Sequence, residues 1–102
     1  MTEPQVLDAA EASRFEVHVD GKLAGFAVYR LRHDRISFIH TEIDDAFAGQ
    51  GLGGKLVRAA LDTARTRGLA VIPLCPFVRS WIQKHEDYKD LVPEAERSRA
   101  GL

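Results

Sequence analysis

The chain has one cysteine, one methionine and one tryptophan in 102 residues, and neither sign of charge prevails. A lone thiol cannot form an internal disulfide or a multi-thiolate metal site. It suits a reducing compartment, so a cytoplasmic protein is expected. Lys and Arg number 14 against 15 Asp and Glu, a formal net charge of -1. Such a balance leaves no electrostatic footprint for nucleic acid. No apolar run is long enough to cross a bilayer, and no basic helix suggests a membrane surface. Met1 to Arg14 lacks the charged start and apolar centre of a signal peptide. His18 and His33 have no neighbours in a metal-ligand pattern, and no metal is expected. The length suits one domain over residues 1–102, with a core of about 15–92 and a polar tail at 93–102. A monomer is expected.

Gly49-Gln50-Gly51-Leu52-Gly53-Gly54-Lys55 is the stretch that looks built to hold a ligand. Four glycines in six residues strip a short loop of side chains, and an amphipathic helical pattern follows from Lys55 to Arg67. A loop of that kind, feeding a helix N-terminus, offers free backbone N–H groups and the positive end of the helix dipole to a phosphate or pyrophosphate. The plainer reading is a tight turn that needs positive φ, though a turn rarely uses four glycines. As a P-loop the string fails at Leu56, where Ser or Thr must ligate magnesium. As a dinucleotide fingerprint it lacks an acidic residue in Val71 to Cys75, where the ribose would be held.

The first half reads as antiparallel β. Phe15, Val17 and Val19 alternate with Glu16, His18 and Asp20, the period of a half-buried strand. Asp20-Gly21 supplies a hairpin turn, Leu23 to Leu31 a second strand, His33-Asp34 another turn, and Arg35 to Ile43 a third strand. After the loop, Leu56, Val57, Ala60, Leu61 and Ala64 form one apolar helical stripe that Gly68 ends. Leu69 to Leu74 is a short apolar strand. Pro76 opens a second helix, with Phe77, Val78, Trp81 and Ile82 as its buried stripe. Ala95 to Leu102 is expected to fray. The order β-β-β-loop-α-β-α is a mixed α/β layer fold.

That order, with the glycine loop after a β-meander, resembles the acetyl-CoA-binding half of the GNAT N-acetyltransferase superfamily, whose signature is Arg/Gln-x-x-Gly-x-Gly/Ala. Val71-Ile72-Pro73-Leu74-Cys75-Pro76-Phe77-Val78, then Trp81-Ile82 and His85-Glu86-Asp87-Tyr88, is similar to short single-domain GNAT-like proteins, as is His40-Thr41-Glu42 before the loop. The likeness runs from about Phe15 to Val92. Ala48 stands where the signature has Arg or Gln, and there is no room before Phe15 for the strand and two helices that line the acceptor side in larger members.

The resemblance implies an N-acetyltransferase that moves an acetyl group from acetyl-CoA to an amine of unknown identity. The pantetheine arm would lie in a splay between the strand before the loop and the strand after the helix, pairing with backbone near Glu42 and Ile43. The pyrophosphate would rest on Gln50, Gly51, Leu52, Gly53, Gly54 and Lys55. His40 is the better base, because an imidazole titrates near neutral pH, while Glu42 on the same strand face would relay through water. A hydrogen-bonded packing histidine and a solvated acid are the plainer readings of the two. Cys75, between Pro73 and Pro76, would accept an acetyl group, donate a proton or line the channel. Tyr88 would protonate the leaving thiolate or act as an aromatic anchor. A non-catalytic CoA-binding module, or an interaction protein using its sheet edge, is the alternative.

Overall fold

Alternating side chains in the first half and 3.6-period stripes in the second each settle against one core. The computed structural model describes residues 3–102. Strands β1 (Gln5–Ala9), β2 (Arg14–Val19), β3 (Lys22–Arg32) and β4 (Arg35–Ile43) form an antiparallel meander. Helix α1 (Leu52–Thr66) then crosses to β5 (Ala70–Pro73), which pairs in parallel with β4. Helix α2 (Pro76–Lys84), a 3-10 segment (Glu86–Leu91) and the short α3 (Glu94–Arg97) complete the chain. The sheet order is β1-β2-β3-β4-β5. Asp20 and Gly21 both have positive φ, 51° and 79°, the backbone that a two-residue hairpin turn matched to strand twist requires.

Phe15, Val17, Tyr29, Ile36 and Phe38 of the sheet pack under Leu52, Leu56, Val57, Ala60, Leu61 and Ala64 of α1, joined by Val78 and Ile82 of α2. Both helices lie on that side, since Phe77 and Trp81 of α2 sit against Gly53 and Gly54 of α1. The opposite face of β2 to β4 carries Arg14, Glu16, His18, Phe26, Val28, Arg30, His40 and Glu42, all of them half-buried or exposed. No helix among the described residues is long and apolar enough to cross a membrane.

Four expectations are corrected. A strand precedes Phe15: β1 pairs along β2, and its Asp8 is held by Tyr29 Oη at 2.5 Å and Arg67 Nη1 at 3.0 Å. Those tertiary contacts fix a segment whose own pattern is weak. Helix α1 begins at Leu52 rather than Lys55, because burial of Leu52 draws two poor helix formers, Gly53 and Gly54, into its first turn. Phe77 is 44% exposed and outside the buried stripe. The tail does not fray: Ala100 is buried, Gln83 Nε2 donates to its carbonyl at 2.8 Å, and Arg97 Nε donates to Val92 O at 3.0 Å.

Candidate active site in the splay between β4 and β5

One extra residue in β4 creates the site. Tyr29 pairs with Phe38, but Val28 pairs with His40, so Ile39 is a β-bulge. Ile36 and Phe38 face the helices, and an unbroken period of two would send His40 after them. The bulge reverses the alternation, so His40 and Glu42 turn to the uncovered face while Thr41 and Ile43 turn to the helix side. Pairing with β5 ends at the same place. Phe38–Pro73 is the last pair of the parallel ladder, and Cys75 N–H donates to Phe38 O at 2.8 Å. From Ile39 to Ile43, β4 has no β5 neighbour, leaving a wedge between the strands.

His40 Nε2 lies 3.0 Å from Glu42 Oε1, and the two side chains are 56% and 60% exposed. The sequence pairs them correctly. The Phe26 ring is 6.4 Å from the imidazole, and the Arg14 guanidinium lies over that ring, 4.6 Å from its centroid. Glu16 accepts from Arg14 Nε at 2.7 Å and bonds His18 Nε2 at 2.9 Å. These partners, His18 first and Arg14 next, hold its carboxyl below the ordinary range. Cys75 is not joined to His40 and Glu42. It is buried on the helix side, with Sγ 3.4 Å from Thr41 Oγ1. Thr41 is the residue that sequence reasoning passed over, and its position between His40 and Glu42 was the available signal.

Ile43 packs on the core, where Gly25 makes room for it; a Cβ at Gly25 would fall 2.5 Å from both Ile43 Cδ1 and Glu42 O. The Ile43 side chain is half-buried there, and its backbone is the part turned to the wedge. Asp44 Oδ1 accepts from Ala46 N–H at 2.8 Å, opening a 3-10 turn (Asp45–Phe47), and exposed Ala48 follows. Gly49 and Gly51 have φ of 80° and 72°, and Gly51 is an N-cap with no side-chain bond. The first intrahelical donor near the cap is Lys55 N–H, to Gly51 O at 3.3 Å. The N–H groups of Leu52, Gly53 and Gly54 have no acceptor within the helix, as the first turn of any α-helix dictates. Gln50 and Lys55 are exposed, whereas the Leu52 side chain is buried and offers only backbone.

The glycines thus have separate reasons. Two supply positive φ, and Gly53 admits Phe77, whose Cζ would sit 2.6 Å from an added Cβ. Tyr88 is removed from the site. Its hydroxyl donates to Asp62 Oδ1 at 2.7 Å and accepts from Arg58 Nη1 at 3.2 Å. The bond to Asp62, aided by burial, raises its pKa. Asp62 lies about 15 Å along α1 from the helix start at 1.5 Å per residue. Among the described residues no three His, Cys, Asp or Glu side chains gather as a metal site would need.

The profile of the GCN5-related N-acetyl-transferase family matches residues 14–91. A GCN5-like candidate N-acetyltransferase from Staphylococcus aureus, determined by NMR, is similar over 91% of each chain, with 25% identity and a TM-score of 0.69. The ribosomal-protein-S18-alanine N-acetyltransferase of Escherichia coli is 28% identical, with a TM-score of 0.56, over 59% of this chain and 39% of its own. Ard1 of Thermoplasma volcanium shares the fold at 24% identity and a TM-score of 0.54, over 65% of this chain and 45% of its own. No curated protein matches the chain. With the glycine-capped α1, the β4 wedge and a family match over most of its length, the chain belongs to the GCN5-related N-acetyltransferases.

Proposed function

We propose that the protein transfers an acetyl group from acetyl-CoA to an amine, with the thioester seated in the wedge that the Ile39 bulge opens. The observation that carries this reading is the coincidence of three things at one point of β4. Pairing with β5 stops at Phe38, the His40–Glu42 pair turns outward, and an uncapped helix N-terminus follows. The Ile43 backbone, turned to the β5 side while Glu42 O faces Gly25 of β3, would pair with the pantetheine amides as an added strand does. The N–H groups from Gln50 to Lys55 would hold the pyrophosphate. Phe77, exposed over Gly53, is the apolar surface nearest that helix start.

His40 takes the proton of the incoming ammonium, directly or through a water on Glu42. The free amine nitrogen then bonds to the thioester carbonyl carbon, the C–S bond breaks, and the proton that the nitrogen sheds as it becomes an amide goes to the departing CoA thiolate. Cys75, buried beside Thr41, would line the floor of the channel. Direct attack needs no acetyl-Cys75, since an amine oriented against a thioester is already a near-attack pair. The absence of an Arg or Gln at position 48 favours one second reading, a CoA-binding module that does not turn over. The lone reduced thiol suits action in the cytoplasm on small acyl-CoA.

Release of free CoA thiol separates the two. An acetyltransferase releases thiol from acetyl-CoA in step with acetylated amine and loses that release in His40→Ala. A binding module saturates with CoA and releases nothing above the rate of spontaneous hydrolysis.

A further inference from the structure

The uncovered sheet face is divided by charge. Along it the cross-strand rows run Glu16–Phe26–Glu42, then Arg14–Val28–His40, then Arg30–Ser37, then Arg32–Arg35. The acidic row and the histidine lie at the wedge. Arginines fill the far end. Arg14 is committed to Glu16 and Phe26. Arg30, Arg32 and Arg35 are exposed and form no ion pair among the described residues. Arg32 and Arg35 stand directly opposite one another, an arrangement that costs stability, since like charges on facing strands repel.

The backbone beside these arginines is also open. Tyr29 N–H donates to Ser13 O at 2.9 Å, and β2 begins only at Arg14. Beyond that bond the β3 edge from Arg30 to Arg32 has no β2 partner. A shallow hollow lined by Ser13, Val28, Arg30, Leu31 and Arg32 lies there. Free strand edge, two arginines on one face and a third across from them suit an extended anionic chain.

Resting on the transferase reading, we infer that the acceptor is an acidic peptide whose N-terminal amine meets His40 and Glu42 and whose carboxylates reach Arg30, Arg32 and Arg35. Arg30 lies two residues beyond Val28, the partner of His40, and Arg32 lies four beyond it. At about 3.3 Å per residue these are roughly 7 and 13 Å along β3 from Val28, the residue beside the base. An extended peptide spans the same distances with side chains of one face at its third and fifth residues. A nucleic acid fits less well, because the acidic row at the wedge and the net charge of -1 oppose a polyanion running the length of the face.

The test uses the full chain, acetyl-CoA and three peptides of equal length, with Asp, Asn or Lys at the third and fifth residues. The acidic peptide should have a KM roughly five- to tenfold below the neutral one at low salt, with similar kcat, and the advantage should shrink as salt rises. Arg30→Glu/Arg32→Glu should reverse the order of acidic and lysine peptides, and Arg30→Gln/Arg32→Gln should flatten it. Acetyl-CoA affinity should stay unchanged in both. Equal KM values for all three peptides, or an order untouched by the charge reversal, overturns the inference while leaving the transferase reading intact. If no peptide is acetylated while a small amine is, the peptide inference fails and the transferase reading stands; if no amine of any kind is acetylated, the transferase reading fails. Fluorescence anisotropy of the labelled acidic peptide then decides: binding lost in the charge-reversed variant sustains the docking surface, and binding absent or indifferent to it does not. Tighter binding of a single-stranded oligonucleotide, lost in the same variant, overturns the peptide assignment.

Discussion

Gly53→Ala sets two opposed effects against each other, and Phe77 decides the sign. Gly53 is helical, and alanine in a helix is favoured over glycine by about 0.5–1 kcal/mol. Its Cβ, however, would lie 2.6 Å from Phe77 Cζ and 3.2 Å from Cε2, so the ring must leave. Phe77 is 44% exposed, so it hides about half of an aromatic side chain, roughly 100 Å². At about 25 cal/mol per Å² that packing contributes at most about 2.5 kcal/mol. Losing even half of it cancels the helix gain, so Gly53→Ala should be neutral to destabilising in the native background. In a Phe77→Ala background the obstacle is gone, and the same substitution should stabilise by about 0.5–1 kcal/mol. Urea unfolding of the four proteins measures the coupling. An identical shift in midpoint in both backgrounds would refute the claim that Gly53 exists to admit Phe77. The same pair isolates the ligand effect. Gly53→Asp with Phe77→Ala has no clash, so any loss of acetyl-CoA affinity reflects charge and crowding at the pyrophosphate.

Three further outcomes are expected. Ala48→Arg should tighten CoA binding by about 1 kcal/mol through a charge-assisted contact, read by calorimetry, and the gain should vanish with a ligand that lacks the pyrophosphate. Burial, reinforced by the bond to Asp8, pushes the Tyr29 hydroxyl up to about 12; the fold therefore holds that proton more tightly than the unfolded chain, and stability should be intact below about pH 10 and fall toward pH 12. Tyr29→Phe should shrink that alkaline decline in urea midpoints, leaving the part due to Tyr88, whose pKa is also raised; a decline of the same size in the variant would contradict it. Cys75→Ser should keep turnover within a small factor while His40→Ala loses both rate and the acidic limb of the pH profile, and an acetyl-Cys75 species that forms and decays at the turnover rate would overturn direct attack.

The meander and the α1 stripe were legible because local period and burial agree in Phe15 to Val19 and in Leu56 to Ala64. His40 and Glu42 were legible as a pair, since a period of two survives on the short stretch that holds both. Which face they occupy was not legible, because one bulged residue inverts it without any mark in the residue types around Ile39. Strand β1 and the docked tail escaped for a different reason. Asp8, Gln83 and Arg97 hold those segments through partners distant in sequence or through backbone carbonyls, and no window of local pattern contains such contacts. Phe77 was placed in the core by helical spacing. A glycine on the neighbouring helix instead gave its ring a surface groove.

The central claim is that the wedge beyond Phe38 receives the thioester arm of acetyl-CoA. Titration of ¹⁵N-labelled protein with acetyl-CoA tests it most directly, through the amide resonances. Saturable shifts should concentrate at Glu42, Ile43, Gly51 to Lys55 and Cys75, with little change at Leu7 or His18. Shifts that avoid those amides, or that centre on Gln5, Leu7, His18 and Gly21, which line a separate hollow between β1 and the β2–β3 turn, would contradict the account.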